Sequence, residues 1–396
     1  MDNGAPNEFP GKRPRVLQGI LAGLLIAAAT VALLLAAGEA ALRLAGYHPP
    51  VLVETDVRGT YRFEPGASFT YVGFRPGSPV EFRTPIVLNK LGFHDRDYEE
   101  KRPTPNTYRV LVLGDSYVAA MEVEHRQAFH KLLEARLNAE DPLGRGSYEV
   151  IAIGQGNSGQ EAELGWLRTY GPRYRPDLVL LVFFCGNDVM ENSPVTYGKA
   201  RAFADFYLAV VAPRKIALYK RLFAVRSSRL NGFVAERVAT FYSMHMNLFH
   251  ADVTREQLAG PDVEVYRTPP APEWEEAWRR TAALLDEVRQ EAARQGAGYA
   301  MAVISGPQAI AEVGQERLRG GRDPGMDLEQ PDRWVAGWSG DNGVPSLSLA
   351  QALREADPRR VFWRHDAHLT PFGHKVAADA LYPFLVARMK QGTEKK

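Results

Sequence analysis

Hydrophobic residues fall into three patterns along this chain. Val16 to Gly38 is a block without a single charge, in which Gln18 and Thr30 are the only polar side chains. An α-helix needs about 20 such residues to cross a bilayer, so a membrane-spanning helix is predicted over 16–38. Residues 39–100 carry short alternating runs instead, "SFTYVGF" and "VEFRTPIVLN", amid many Gly, Pro, Tyr and Phe. Alternation of period two reads as hairpin strands, a small β-rich lead-in. From Tyr108 the apolar runs are nearly continuous and alternate with helical segments, as in a parallel α/β sheet covered on both faces. "YRVLVLG" (108–114), "YEVIAIG" (148–154), "DLVLLVFF" (177–184), "YAMAVIS" (299–305) and "RVFWR" (360–364) supply five predicted strands.

The clearest helix lies between the third and fourth of these. Trp274, Trp278, Thr281, Leu285, Val288 and Ala292 recur at helical spacing from Pro272, and Gly296 stands where a C-terminal cap belongs. That stripe predicts core packing. Residues 191–271 break the α/β rhythm with aromatic, Arg-rich, helical sequence such as "FADFYLAVVAPRKIALYKRLFAV". They read as a helical insertion over the loop face or edge of a main domain spanning 101–390, with a polar tail at 391–396.

Charge narrows the possible partners. Forty-eight basic against 47 acidic residues leave a net charge of +1, which gives no pull toward nucleic acid. Lys12, Arg13 and Arg15 precede the apolar block, so the positive-inside rule puts residues 1–15 in the cytoplasm and the bulk of the chain outside it. Ala36, Ala37 and Gly38 offer a signal-peptidase site as the rival reading, but a signal peptide's apolar core spans about 7–15 residues, fewer than here. The lone Cys185 has no disulfide partner and reads as a small core residue. His125, His130, His245 and His250 show no metal-ligand spacing. No metal or organic cofactor is implied.

Ligands of an open α/β sheet bind beyond the carboxyl ends of its strands, and here those ends are polar. The first strand ends in Gly114-Asp115-Ser116, the second in a run containing Gly154, Gly156 and Gly159, the third in Gly186-Asn187-Asp188; the last leads to Asp366 and His368. The GxGxxG spacing at 154–159 also suits a dinucleotide pyrophosphate. That reading expects an acidic residue about 20 positions on, at the carboxyl end of the next strand. Asp177 begins that strand and Asp188 arrives late, so nucleotide binding is set aside.

A serine at a strand-to-helix turn presents its hydroxyl to the cleft, which suits a nucleophile. Its base would be His368, oriented by Asp366; two positions apart in an extended loop, both side chains would emerge on one side. Donors for an oxyanion are the backbone N–H of Ser116, an N–H of the glycine run, and the side-chain amide of Asn187. Asp115 and Asp188 read as loop organisers. His365 should point away from its neighbour's side, and His374, within the next helix, reads as a packing or surface residue.

These blocks, in this order, resemble the SGNH (GDSL-like) hydrolase superfamily of esterases, lipases and acyl-group enzymes, most closely in "YRVLVLGDSY", "RPDLVLLVFFCGNDV" and "HDAHLTPFGHKVAA". The resemblance implies a three-layer α/β/α sandwich with a flavodoxin-like strand order. It implies Ser116 as nucleophile and first oxyanion donor, the glycine block as second donor, Asn187 as third and His368 as base, oriented by Asp366. Within the glycine block an ungapped match puts Asn157 at the donor position and a one-residue shift puts Gly156 there; Gly156 is preferred. The superfamily usually separates its Asp and His by two residues, whereas only Ala367 intervenes here. That shorter spacing resembles proteins of alginate O-acetylation. The expected function is a membrane-anchored, extracytoplasmic esterase acting on acylated glycans or lipids. An O-acyltransferase is the alternative, and a non-catalytic glycan-binding or assembly factor the third reading.

Overall fold

The computed structural model describes residues 13–48, 52–54, 61–73, 80–211, 228–245, 261–310 and 325–394. Lys12 and the rest of the predicted cytoplasmic segment before Arg13, His250, residues 395–396 of the tail and two stretches of the insertion (212–227 and 246–260) lie outside the described residues.

The uncharged block forms the helix Arg13–Leu44, and its apolar stretch from Leu17 is long enough to cross a membrane and is not buried by the rest of the chain. Leu25 and Leu33 are each about 70% exposed, a cost in water that a bilayer would remove. At its end, Glu39 accepts hydrogen bonds from Ser228 Oγ (3.0 Å) and Leu230 N (2.9 Å), capping the helix Arg229–His245. The insertion is thus docked where the apolar helix ends.

Two antiparallel pairs follow. β1 (Leu52–Glu54) pairs with β2 (Tyr61–Phe63), and β3 (Ser68–Gly73) pairs with β4 (Phe82–Val87). In β4 every second side chain is buried, as the alternation in sequence predicts.

The main sheet has five parallel strands: β5 (Tyr108–Gly114), β6 (Tyr148–Gly154), β7 (Leu178–Phe184), β8 (Gly298–Ile304) and β9 (Ser346–Ser348). Their spatial order is β6-β5-β7-β8-β9, the 2-1-3-4-5 order of the flavodoxin-like sheet. Alternate residues feed two cores. Val110, Val112, Leu180 and Val182 pack against the helices Phe129–Glu140 and Pro371–Glu394, whereas Leu111, Leu113, Val179 and Leu181 meet Gln160–Tyr174 and Pro272–Arg294. Burial on both faces is why the strands read as unbroken apolar runs. The predicted stripe of Pro272–Arg294 is buried throughout, and Gly296 beyond it takes φ +73°.

The fifth strand is not the predicted one. Residues 360–364 begin inside a short helix, Pro358–Val361, which Asp357 caps through Arg359 N; only Phe362 makes a β-bridge, to Leu369. An aspartate followed by proline starts a helix more effectively than the next few residues favour a strand. The true β9 has just three residues, two of them serine, too short for a hydrophobic pattern.

One element within the sheet escapes the apolar reading. Arg109 on β5 and Glu149 on β6 are paired neighbours, both buried, joined Nε to Oε2 at 2.6 Å. Arg109 also donates to the carbonyls of Glu99, Glu100 and Tyr174, so each end of this buried pair is satisfied.

Candidate active site

Ser116 opens the short helix Ser116–Ala119 directly after β5, where Asp115 caps the turn by accepting Tyr117 N at 2.9 Å. The turn is possible because two neighbours lack a Cβ. A Cβ on Gly114 would come within 2.4 Å of Val118, and one on Gly154 within 2.6 Å of Ala119 N. The first glycine of the run at 154–159 therefore lets the serine-bearing helix lie against β6. Gly159 does the same for Asn192, whose Oδ1 a Cβ would meet at 2.6 Å. Gly154 and Gly159 are thus accounted for by packing.

Ser116 Oγ lies 2.8 Å from His368 Nε2, and His368 Nδ1 lies 2.6 Å from Asp366 Oδ1. The three side chains predicted to act together meet across 252 positions of sequence in one chain of hydrogen bonds. When the imidazole is neutral, Nδ1–H donates to Asp366 and Nε2 is left to accept from the serine hydroxyl. The loop is not extended as predicted. Ala367 adopts φ +76°, its N–H donates to Trp363 O (3.0 Å) and its carbonyl accepts from Tyr117 OH (3.0 Å). A tight turn, not strand-like alternation, brings the carboxylate onto the imidazole.

Tyr117 also packs its ring 5.0 Å from His368 and 4.4 Å from Phe184, fixing one side of the imidazole. Burial opposes charging His368, but the hydrogen bond to Asp366 and the negative charges of Glu122, Asp366 and Asp115 outweigh it, and its pKa is pushed up to about 9.

Gly156 stands beside Ser116: a Cβ there would lie 3.6 Å from Ser116 Cβ, ordinary contact with no clash. Asn157 is exposed and takes φ +59°, a left-handed conformation that asparagine tolerates. Asn187 follows β7, and its amide is occupied. Nδ2 donates to Glu191 Oε1 (3.1 Å), and the side chain also hydrogen-bonds Asp115. To donate to an oxyanion, Asn187 must release one of these carboxylates.

Behind it lies a buried acidic group that the sequence reading missed. Asp188 accepts from Gln160 Nε2 (2.6 Å) and Phe184 N (3.0 Å), and Glu163 accepts from the same Gln160 amide. Burial, reinforced by the charge of Asp115, pushes the carboxyls of Glu163, Asp188 and Glu191 well above the usual range, and burial raises Asp115 too. In each case burial disfavours the charged form. No spacing rule would have gathered them, because they come from three separate segments.

The remaining histidines sort themselves. His374 is fully buried, stacked on Phe129; Phe129 N donates to its Nδ1 (3.2 Å) and its Nε2 meets Glu122 Oε1 (2.9 Å). It is a packing residue with both nitrogens engaged. The backbone N–H of His365 donates to Glu81 (3.0 Å). Cys185 is buried, and that burial raises its thiol pKa well above the ordinary value, which fits an inert core residue.

A 2-1-3-4-5 parallel sheet between two helical layers, with serine, histidine and aspartate joined in one chain of hydrogen bonds, defines a doubly wound α/β protein of flavodoxin-like strand order. Residues 265–396 match the family described as SGNH hydrolase-like domain, acetyltransferase AlgX. That span holds Asp366 and His368, while Ser116, Gly156 and Asn187 precede it. Among solved structures, the chain is similar to a catalytic mutant of an acetylxylan esterase from Geobacillus stearothermophilus, at 11% identity over 70% of this chain and 93% of that one, TM-score 0.38. It is also similar to the lipase/acylhydrolase from Enterococcus faecalis, at 12% identity over 71% of this chain and 96% of that one, TM-score 0.38. No curated protein matches the sequence.

Proposed function

We propose that the protein is a membrane-anchored serine enzyme that moves acyl groups, through an acyl-enzyme on Ser116, at esters of glycans or lipids outside the cytoplasm. The observation that carries this reading is the unbroken contact from Ser116 Oγ to His368 Nε2 and from His368 Nδ1 to Asp366. His368 takes the hydroxyl proton as Oγ attacks the ester carbonyl, then returns it to the departing alcohol. Asp366 holds the imidazole in the required tautomer and balances its positive charge. The backbone N–H groups of Ser116 and Gly156 and the amide of Asn187, turned from Glu191 or Asp115, stabilise the tetrahedral oxyanion. Water then releases the acyl group, which makes the protein an esterase. The N-terminal helix anchors the chain, with residues 1–15 cytoplasmic by the positive-inside rule.

The same residues serve transfer when a sugar hydroxyl replaces water as acceptor. The match of residues 265–396 to a family named for an acetyltransferase favours this second reading.

Fluorophosphonate labelling of the full-length protein in detergent, wild type against Ser116→Ala, tests the serine chemistry. Labelling at Ser116 in the wild type alone is expected, and a folded wild type that resists labelling would reject it. Incubation with an acetylated oligosaccharide, with and without a sugar acceptor, divides the two outcomes: free acetate in both favours hydrolysis, an acylated acceptor favours transfer. A reporter fused after residue 45 tests the topology, and cytoplasmic activity there overturns it.

A further inference from the structure

The loop that carries Asp366 and His368 is not held by the sheet alone. Glu81, from the β3–β4 pair of the lead-in, accepts the backbone N–H of His365 at 3.0 Å (Oε1) and of Asp366 at 3.0 Å (Oε2). These are charge-assisted bonds to adjacent amides, made by one carboxylate with both oxygens. The register that delivers Glu81 is fixed in turn: its own N–H donates to Gly73 O at 2.8 Å, and Phe82 beside it covers the position where Gly73 lacks a Cβ. The ring of Phe82 then meets Trp363 at 5.2 Å, at the start of the same loop, and Thr84 Oγ1 donates to Glu122 O at 3.0 Å. Glu122 bonds His374 in the first turn of the helix Pro371–Glu394 that follows the loop. The hairpin thus contacts the loop at its beginning, through Phe82 on Trp363, and at the amides of His365 and Asp366, through Glu81.

We propose that Glu81 is a positioning residue for the Asp366–His368 pair, so that the lead-in hairpin is a working part of the active site. The inference rests on the acyl-enzyme reading above for its kinetic test. Its physical basis is the conformation of the loop. With Ala367 at φ +76°, the turn sits in a region an L-residue enters at a cost, and the bonds around it must hold it there. Tyr117 OH holds the carbonyl side of Ala367, and Glu81 holds the amide side of Asp366. Without Glu81, two amide hydrogens lose their acceptor and Asp366 is free to drift from His368 Nδ1. The groups that face His368 are Asp366, Asp115 and Glu122, with the Tyr117 ring against it, and none of them reaches those two amides.

The test compares Glu81→Ala and Glu81→Gln with wild type, full length in detergent, by the rate of fluorophosphonate labelling at Ser116 from pH 6 to 10 and by hydrogen exchange of the 363–368 segment. Glu81→Ala should label about 10–100-fold more slowly, the scale expected of a displacement near 1 Å. Its labelling midpoint should fall in pH, because a loosened Asp366 no longer holds the imidazole proton. Glu81→Gln, whose amide oxygen still accepts one N–H, should lie between. Amide exchange at 365–366 should quicken while the strands 108–114 and 178–184 stay protected. Wild-type rate and midpoint in both variants would overturn the proposal. If the wild type itself resists the label, the acyl-enzyme reading fails and exchange decides the clamp: unchanged exchange at 365–366 overturns it, and selective loss of protection there upholds it.

Discussion

Asp366 Oδ1 sits 2.6 Å from His368 Nδ1 although a single residue separates them, and that residue, Ala367, has φ +76°. The short spacing is workable only because the middle residue turns left-handed. An L-residue with a Cβ is about 1–2 kcal/mol worse there than in the right-handed region, and glycine escapes the penalty. Ala367→Gly should therefore keep activity and unfold no lower in temperature than wild type. Ala367→Val, whose branched side chain suits that region least, should lower both. Thermal unfolding together with labelling of Ser116 checks the pair; a Val variant as active as wild type would remove the turn from the argument.

The carboxylate's task is to accept, and this can be tested separately from its place. Asp366→Asn keeps the size of the side chain but offers an N–H where His368 needs an acceptor, favouring the tautomer that protonates Nε2. Nε2 then cannot take the hydroxyl proton of Ser116. A fall in kcat of about 10⁴ is expected with KM little changed. Steady-state hydrolysis of p-nitrophenyl acetate reads it, and a loss confined to KM would mean that Asp366 acts in binding.

His368, with its pKa pushed up to about 9, is charged at neutral pH, and a charged imidazole cannot accept a proton. The rate should rise with pH through an ascending limb centred well above 7, near 9. Glu122 is one source of that rise, so Glu122→Gln, which keeps a hydrogen-bonding partner for His374, should move the limb to lower pH. Stability moves the other way. A histidine whose folded pKa exceeds its unfolded value of about 6.5 stabilises fully below that pH, and the contribution disappears as pH rises through about 9. A pH–rate profile and melting temperatures over the same range test both signs at once.

Much of this was legible in sequence because it follows from local pattern. The helix Pro272–Arg294 and four of the five strands are legible from their apolar pattern: Val110 to Leu113 and Leu178 to Phe183 are apolar at every position because both faces are covered. The polar end of β5 points to Ser116, because no core requires such a residue there, whereas Asp366 and His368 follow a predicted strand at 360–364 that the fold does not contain. What sequence did not disclose depends on contacts between distant segments. β9 is too short to carry a period, and Glu81 looks like any charged residue before a strand until the loop 284 positions away folds over it. Sequence marks Asn187 as an oxyanion donor, and its bond to Glu191, one helical turn on, is visible only in three dimensions. The turn at Ala367 has no signal at all, since alanine is ordinarily right-handed.

The Arg109–Glu149 pair permits a stability prediction independent of any activity. Both side chains are buried on adjacent strands, and the guanidinium also donates to four backbone carbonyls, those of Glu99, Glu100, Lys101 and Tyr174. Arg109→Met leaves buried Glu149 with only the partly exposed Arg96, 3.8 Å away, to oppose its charge, and should destabilise by about 3–5 kcal/mol. Adding Glu149→Leu removes that charge, so the double variant should regain part of the loss. Recovery should stay incomplete, because the carbonyls of Glu99, Glu100 and Tyr174 still lack their donor. Denaturant unfolding of the four proteins measures the coupling between the two positions. Strict additivity would mean that the pair contributes nothing as a pair, and that Arg109 acts only through the carbonyls it gathers at the mouth of β5.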